Sequence, residues 1–469
     1  MRYISTRGNA PALDFEEVLL GGLAPDGGLY VPQSWPALAP ATIASFAGKP
    51  FAEVAAEVIA PFAGDWPASG ALLDMARAAY AGFGHAAVTP LVQIGPDTWV
   101  LELFHGPTLA FKDVAMQLLA RMMDTALGRR GQRATIISAT SGDTGGAAIA
   151  AFRGSRHLDV VVLFPDGRVS DVQRRMMTTA EDDNVHAIAV KGTFDDCQAL
   201  VKAMFAHRAF RERMRLTAAN SINWARIVAQ TVYYFVAAVA LGAPQRKVSF
   251  SVPTGNFGDI FAGYSARRLG LPIEQLAIAS NSNDILPRAY ESGVYEMREV
   301  VQTSSPSMDI QVSSNFERYL FEAQGRDPEA VRAQMGALAQ SRRFEMGAAH
   351  EAMRRDFAAA AASEAEVAAA IRRVRKESGY LMDPHTACGM VAAEKALAKG
   401  RTPRVVLATA HPAKFPQAMR AIGREEAELP ARLAKLMTDR ERATVLPAEL
   451  APIERHIEER VRAAKETSR

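Results

Sequence analysis

The sequence predicts an α/β protein with two parallel-type sheet domains and a separate N-terminal α+β domain. Three strand-loop-helix segments of similar design support this prediction, and their strands lie at 134–138, 248–252 and 404–408. Two further apolar strands, at 160–164 and 185–190, alternate with helical segments. Alternating strands and helices are typical of parallel sheets covered by helices on both faces. A chain of 469 residues is long enough for two or three domains.

Composition along the chain indicates where these domains begin and end. The N-terminal part opens with a short strand and turn, is rich in Pro and Gly at 21–28, and continues as helices. Residues 327–379 are rich in Ala, Glu and Arg and are predicted to be mostly helical covering structure. The expected boundaries are 1–94 for the N-terminal domain, 95–130 and 211–469 for a large domain, and 131–210 for a smaller one.

Composition and charge exclude several classes of function. The formal net charge is +3, whereas proteins that bind nucleic acid usually carry a concentrated basic surface. No stretch is long and apolar enough to cross a membrane, and the N-terminus lacks the apolar run of a signal peptide, so we expect a cytoplasmic protein. The two cysteines, Cys197 and Cys388, form no Cys-x-x-Cys pair and give no support for a metal site.

Lys112 lies in the segment His105-Gly-Pro-Thr-Leu-Ala-Phe-Lys-Asp113, after a Gly-Pro turn. A helix is predicted from about 111 to 127, so the positive end of its dipole faces the lysine and disfavours the charged ammonium. A neutral amine is what a lysine needs in order to form an imine. The alternative is a surface lysine beside Asp113, but the apolar flank Leu109-Ala-Phe111 favours a lysine aimed into a pocket.

Two glycine-rich turns follow strands later in the chain. In Pro253-Thr-Gly-Asn-Phe-Gly-Asp259, glycine lets the backbone approach a phosphate, and several N–H groups point to one place. Ser138-Ala-Thr-Ser-Gly-Asp-Thr-Gly-Gly146 has the same design with more hydroxyls, which suits a carboxylate. Each could also be a plain strand-to-helix turn. A reactive amine and two anion sites together indicate an enzyme that holds pyridoxal phosphate and an amino acid.

These motifs resemble those of the threonine synthase family, pyridoxal-phosphate enzymes of fold type II, the structural group of tryptophan synthase β. The resemblance covers nearly the whole chain and follows the longer class of that family. Besides the lysine segment and the two turns, it rests on Gly22-Leu-Ala-Pro-Asp-Gly-Gly-Leu-Tyr30, Asn220-Ser-Ile-Asn223, Asp383-Pro-His-Thr386 and Thr409-Ala-His-Pro-Ala-Lys-Phe415. The lysine segment and the N-terminal signature are the most specific of these motifs.

The resemblance implies roles for individual residues. Lys112 would be the catalytic residue, and pyridoxal phosphate would be bound by Lys112, Gly255, Asn256, Phe257, Gly258, Asp259 and, at the pyridine nitrogen, Thr409. The predicted substrate-binding set is Ser138, Thr140, Ser141, Gly142, Asp143, Thr144, Asn220, Ser221, Asn223, Arg226 and Lys414. The last five are candidates for the phosphate of the substrate, although a helix cap followed by an exposed face explains the segment 220–226 equally well. The contact of Asp143 stays open, because the wider group often has Asn there.

The implied reaction converts O-phospho-L-homoserine and water into L-threonine and phosphate, the last step of threonine biosynthesis. Phosphate leaves by γ-elimination and water adds at the β carbon, so the enzyme would be a carbon–oxygen lyase acting on phosphates. The expected partner is this small molecule, with no nucleic acid, no membrane and no metal, and the expected assembly is a monomer or homodimer. The alternatives are a pyridoxal-phosphate serine or threonine dehydratase and a non-catalytic cofactor-binding relative.

Three further polar features have no assigned role. His385 and His411 each neighbour a proline, and each fits a structural turn as well as a catalytic role. The polar loop Ser304–Asp309 could close over the substrate.

Overall fold

The computed structural model describes residues 1–68, 70–423 and 427–463. Its first part is mainly helical and has one two-stranded sheet, in which β1 (Tyr3–Ser5) pairs antiparallel with β2 (Tyr30–Pro32). The helices of this part are α1 (Phe15–Gly21), α2 (Pro40–Ala44), α3 (Phe51–Ala63) and α4 (Ala71–Tyr80). Asp14 and Glu17 form a capping box that fixes the start of α1. The predicted strand, turn and helices are therefore all present.

The larger sheet has six strands in the order β13-β10-β9-β14-β4-β3. Their bounds are β3 (Leu91–Gln93), β4 (Thr98–Glu102), β9 (Val248–Pro253), β10 (Ile273–Ser280), β13 (Phe357–Ala361) and β14 (Arg404–Ala408). All neighbouring pairs are parallel except β3 and β4. Val405 and Leu407 pack into one apolar cluster and Val406 into another, so both faces of the sheet are covered.

Several of the helices around this sheet contribute residues to the site described below. The helices are α5 (Lys112–Arg130), α10 (Trp224–Ala240), α11 (Gly258–Arg268), α12 (Ile285–Ser292), α13 (Phe316–Ala323), α14 (Pro328–Ser341), α15 (Ala348–Asp356), α16 (Glu364–Ser378), α17 (Pro384–Ala396) and α18 (Pro416–Gly423). Strand β11 (Val294–Glu296) pairs antiparallel with β12 (Arg343–Glu345) in a separate two-stranded sheet. The region 327–379 is thus mostly helical, as predicted, but it also holds β12 and β13. The Ala-rich segment of β13 has weak strand propensity, and parallel pairing with β10 imposes the strand.

The smaller sheet has five parallel strands in the order β15-β7-β6-β5-β8. Its elements are β5 (Ala134–Ala139), α6 (Asp143–Phe152), β6 (Leu158–Pro165), α7 (Asp171–Thr178), β7 (Val185–Lys191), α8 (Phe194–Ala206), α9 (Arg208–Met214), β8 (Leu216–Thr217), β15 (Thr444–Pro447) and α19 (Leu450–Arg460). Every residue of the central strand β6 is buried, which explains its nearly continuous apolar run.

Three strands lie outside the predicted domain boundaries. β3 falls within 1–94 but joins the larger sheet, while β8 and β15 fall within 211–469 but join the smaller sheet. β15 extends the edge at β7, and α19 then buries Ile453 and Ile457 among the apolar residues of this unit. The C-terminal segment therefore belongs to the smaller unit because it pairs with the edge strand β7 and buries apolar residues there, although it is far from β7 along the chain. Residues 464–469 lie outside the described residues.

The loops singled out in the sequence lie at equivalent positions of the two sheets. They follow β5, β9 and β14, and the lysine segment follows β4, so all four leave the carboxyl ends of parallel strands. In α/β folds this edge is where ligands bind. Among the helices of the described ranges, none has both the length and the apolar character needed to cross a membrane.

Candidate active site

Lys112 is held where two chain segments meet. The Phe111 N–H donates to the Thr409 carbonyl (2.8 Å), and Ala110 forms an isolated bridge with Ala410. This contact follows from the strand order, because β4 and β14 are neighbours and their following segments leave the same edge of the sheet. Helix α5 begins at Lys112 itself. The lysine therefore opens its helix, as the sequence predicts.

The amine of Lys112 is buried. Its side chain is only 12% exposed, which excludes a surface lysine, and Nζ lies 5.6 Å from the centroid of the Phe111 ring. Burial lowers the pKa of Lys112; Asp143 opposes this shift, and the charges of Lys414 and Arg226 add to it. A depressed pKa favours the neutral amine that a nucleophile needs.

Asp113, the next residue, shapes the turn that leads to the lysine. It is fully buried, and its two carboxylate oxygens accept the N–H of Thr108 (2.8 Å) and the hydroxyl of Thr108 (2.6 Å). A Cβ on Gly106 would lie 2.3 Å from the Cβ of Asp113. The turn therefore requires glycine at 106, and Asp113 stabilises it.

The loop after β5 is organised by one buried hydroxyl. Thr140 Oγ1 accepts the N–H groups of Gly142 and Gly145, each at 2.9 Å. Gly142 has a φ of +142°, and a Cβ there would lie 2.5 Å from the Gln173 side chain. Within the described residues, three N–H groups at the start of α6 make no hydrogen bond, namely those of Ser141, Asp143 and Thr144. Free donors at a helix N-terminus suit an anion.

Asp143 is the centre of a buried charge cluster. Its Oδ1 lies 2.6 Å from Lys414 Nζ and accepts a hydrogen bond from Gln173 Nε2 (3.0 Å). Its Oδ2 lies 3.6 Å from Lys112 Nζ and accepts a hydrogen bond from the Ser307 hydroxyl (3.1 Å). Burial alone would raise the pKa of Asp143, but the two lysines hold it well below its ordinary value. The Asp143 carboxylate therefore stays charged, next to a lysine whose lowered pKa favours the neutral amine.

In the loop after β9, carbonyl groups have hydrogen-bond partners and N–H groups lack them within the described residues. The Gly255 carbonyl accepts the Ser313 hydroxyl (2.7 Å), and the Asn256 carbonyl accepts the N–H and the Nδ2 of Asn315 (3.0 and 3.1 Å). Within the described residues, no N–H group of 255–259 donates a hydrogen bond. A row of unsatisfied donors at the N-terminus of α11 fits the phosphate of pyridoxal phosphate.

Asp259 and Phe257, both in this loop, direct their side chains into the protein. Asp259 Oδ1 accepts the hydroxyls of Tyr233 (2.5 Å) and Tyr234 (3.0 Å), and burial raises the pKa of Asp259 to about 7. The Phe257 ring packs edge-on against Phe316 with centroids 5.2 Å apart. These two side chains support the loop, and the cofactor contacts predicted for residues 255–259 stay predictions.

The residues of the segment 220–226 have different environments. Some cap or precede helix α10, and Arg226 is a candidate to bind an anion. Asn223 caps α10 by accepting the Ala225 N–H, and its Nδ2 donates to the Leu19 carbonyl, whereas Asn220 is exposed. Arg226 is different: it is 3% exposed, its Nε has no partner, and no carboxylate pairs with it within the described residues. Burial lowers the pKa of Arg226 to about 10. The guanidinium is therefore a buried cation that still needs an anion.

The remaining predicted residues are placed as follows. Thr409 directly follows β14, its carbonyl accepts the Phe111 N–H, and its hydroxyl makes no hydrogen bond within the described residues. Ser138 Oγ donates weakly to the Ala139 carbonyl (3.3 Å), and the Ser221 carbonyl accepts Asn315 Nδ2 (3.1 Å). The roles predicted for Ser138, Ser221 and Thr409 stay predictions.

The two proline-flanked histidines differ in their surroundings. His411 Nδ1 accepts the N–H of Ala413 (3.2 Å), which is a turn cap, and burial lowers the pKa of His411 to about 4. His385 Nε2 instead accepts the N–H of Ser307, which lies in the polar loop Ser304–Asp309. The Ser307 hydroxyl donates to Asp143. Sequence reasoning missed Gln173 altogether, because no local pattern links a helix in the smaller domain to the loop after β5.

Comparison with known proteins gives one family for most of the chain. Three family models match: "Threonine synthase N terminus" at residues 2–80, "Pyridoxal-phosphate dependent enzyme" at 83–352, and "Threonine synthase, C-terminal" at 386–457. A threonine synthase of Pseudomonas aeruginosa is 51% identical over 97% of both chains.

Solved structures agree with this comparison. A structure of PLP-bound threonine synthase from Brucella melitensis has a TM-score of 0.97 and 56% identity, over 98% of this chain and 100% of that one. The threonine synthase from yeast has a TM-score of 0.92 and 39% identity, over 98% of both chains. The mixed α/β fold predicted from the sequence is thereby confirmed.

Proposed function

The chain belongs to the threonine synthase family of pyridoxal-phosphate-dependent enzymes, and on that premise we propose that it converts O-phospho-L-homoserine and water into L-threonine and phosphate. The observation that supports this most directly is the buried Lys112 beside Asp143, between two loops with free N–H groups. A reaction on a phosphorylated amino acid needs one reactive amine and several separate anion sites.

When bound, pyridoxal phosphate supplies an electron sink that acidifies the α and β hydrogens of the substrate and lets a γ-substituent leave. Lys112 would be the residue bonded to it, and the backbone of the 255–258 segment would hold its phosphate. Thr409 would meet the pyridine nitrogen, since its backbone carbonyl binds the lysine segment and its hydroxyl has no partner within the described residues. A neutral hydroxyl there would leave that nitrogen largely unprotonated.

Lys112 would act as the proton carrier of the reaction. Its depressed pKa lets the freed amine accept a proton from the α carbon and deliver it elsewhere on the substrate. Asp143 Oδ2, 3.6 Å away, stabilises the ammonium form between these two transfers. Lys414 keeps this carboxylate charged and oriented.

Two further anion sites would bind the substrate. The unbonded N–H groups of Ser141, Asp143 and Thr144 suit its carboxylate, since the loop carries hydroxyls as well. Arg226 suits its phosphate, because a buried guanidinium without a carboxylate partner gains most from a doubly charged ligand. We propose that Arg226 is the principal phosphate contact among the candidates of the 220–226 segment.

The test compares two products. Incubation with O-phospho-L-homoserine should release equal amounts of phosphate and threonine, and incubation with L-serine should give little 2-keto acid. Lys112→Ala should abolish threonine formation, whereas the exposed Lys202→Ala, a matched loss of one lysine, should retain it. Rapid keto-acid release without phosphate would identify a dehydratase instead, and no turnover of either substrate would identify a non-catalytic relative.

We also propose that the enzyme works in the cytoplasm, as a monomer or homodimer, without nucleic acid. The small net charge of +3 supports the last point. Light scattering of the purified protein and fractionation of cells that express it would test the assembly and the compartment.

A further inference from the structure

The segment Thr303–Asp309, here called the 303–309 loop, lies against the loop after β9. It contains a single 3₁₀ turn, Pro306–Met308. The Asp309 carboxylate accepts the Thr303 hydroxyl (2.7 Å) and Asn281 Nδ2 (2.8 Å), so the ends of the loop are tied together. The Ser307 carbonyl lies 3.0 Å from the position that a Cβ on Gly255 would take. The loop therefore has a defined shape and touches the predicted cofactor-phosphate site.

Ser307 forms two hydrogen bonds, one to Asp143 and one to His385. Its hydroxyl donates to Asp143 Oδ2 (3.1 Å), and its N–H donates to His385 Nε2 (3.2 Å). Asp143 Oδ2 is also the oxygen that faces Lys112 Nζ, at 3.6 Å. The position of Ser307 therefore sets how this carboxylate oxygen is shared between a hydroxyl and the reactive amine.

His385 is fixed on its other side. Its Nδ1 lies 2.7 Å from Asp383 Oδ2, and its ring packs on Phe415 with centroids 4.9 Å apart. Because Nε2 accepts the Ser307 N–H, the ring proton is on Nδ1 and is donated to Asp383. Asp383 itself caps α17 by accepting the N–H groups of His385 and Thr386. The imidazole is thus a rigid acceptor, built on a helix, for one N–H of the loop.

We propose that His385 is a positioning residue that acts through Ser307: it holds the 303–309 loop so that the Ser307 hydroxyl orients Asp143 toward Lys112. This inference rests on the proposed role of Lys112 as the proton carrier. The Ser307 hydroxyl contacts the Asp143 oxygen that faces the amine, whereas the proposed contact of the substrate phosphate is Arg226. Loss of the Ser307 contact should therefore lower kcat more than it raises KM for the substrate.

Two substitutions of His385 test separately the contacts made by its two ring nitrogens. His385→Gln places an amide oxygen near the position of Nε2 and so keeps an acceptor for the Ser307 N–H. His385→Asn places its amide near Nδ1, so it keeps the contact with Asp383 but loses the acceptor. Ser307→Ala removes the hydroxyl from Asp143, and because Ser307 is only half-buried, this variant tests the inference even if a histidine variant does not fold.

The experiment measures amide exchange of the 303–309 loop and steady-state kinetics of the holoenzyme on the same variants. We expect exchange in H385N to be about tenfold faster, because one of the few bonds that tie the loop to α17 is lost. We expect kcat to fall about tenfold in H385N and in S307A, the loss of one hydrogen bond near a charged group, with KM changed less than about twofold. H385Q should stay within about threefold of the wild type in both measurements.

The double variant H385N/S307A should be no slower than either single variant, because both interrupt one path. Any of four results would overturn the inference. They are equal impairment of H385Q and H385N, unchanged amide exchange in H385N, unchanged kcat in S307A, and losses of kcat that multiply in the double variant. A failure of the proposed function would look different, because the wild-type protein itself would then form no threonine. The exchange measurement would still show whether His385 holds the loop.

Discussion

Replacement of Asp143 by asparagine tests the charge cluster beside the reactive lysine. The carboxylate is 5% exposed and lies 2.6 Å from Lys414 Nζ, whose side chain is 1% exposed. Removing one partner of such a buried ion pair leaves an uncompensated charge and typically costs about 3–5 kcal/mol. We expect a destabilisation of about 3 kcal/mol at pH 7, at the lower end of this range.

The pH dependence of this effect has a definite sign. Asp143 has a folded-state pKa well below its value of 3.8 in the unfolded chain, so its carboxylate stabilises the folded protein at neutral pH. This contribution is present above the unfolded pKa and is lost as the pH falls through the folded pKa. The difference between wild type and D143N should therefore be constant from pH 7 to about 5 and should narrow below about pH 4.

Urea denaturation of the cofactor-free protein, followed by circular dichroism, measures this difference. Asp195→Asn is the matched control, because Asp195 is exposed and its substitution changes the net charge equally. The control should shift the unfolding free energy by less than about 0.5 kcal/mol. A D143N protein within about 1 kcal/mol of the wild type at pH 7, or a difference that grows in acid, would refute the buried ion pair.

Two further substitutions test the anion sites. Gly255→Val should raise the Kd for pyridoxal phosphate at least about tenfold, because its Cβ would meet the Ser307 carbonyl at 3.0 Å and shift the loop; a cofactor titration with unchanged affinity would place the phosphate elsewhere. Arg226→Gln should raise KM for O-phospho-L-homoserine about 10- to 100-fold, the loss of a charged hydrogen bond to phosphate. Unchanged KM in steady-state assays would remove Arg226 from the phosphate site.

Local sequence patterns predicted the elements that carry the chemistry. The strand at 404–408 has the predicted bounds, and helix α5 begins one residue from its predicted start. The reason is physical: apolar runs that end in Gly-rich turns are local signals, and they mark the carboxyl ends of buried parallel strands. The burial of Lys112 was predicted on the same ground, from its apolar flank.

Contacts between residues that are far apart in the sequence could not be predicted from such local patterns. β15 joins the smaller sheet some 250 residues after its partner β7 in sequence, by occupying a free edge. Gln173 and Ser307 reach Asp143 from two other parts of the chain. Gln173 has no local signature, and the polar loop that contains Ser307 was noted in the sequence without its contact to Asp143. Asp259 belongs to the predicted cofactor loop, yet its carboxylate turns toward two tyrosines whose positions only the packed α10 determines.

The central claim is that Lys112 is the amine that binds the cofactor, and one measurement tests it most directly. Purified protein loaded with pyridoxal phosphate is reduced with borohydride, digested and analysed by peptide mass spectrometry. The account predicts a single pyridoxyl adduct on the peptide that contains Lys112, and none in the K112A variant. An adduct on another lysine, or no adduct in protein that still forms threonine, would contradict it.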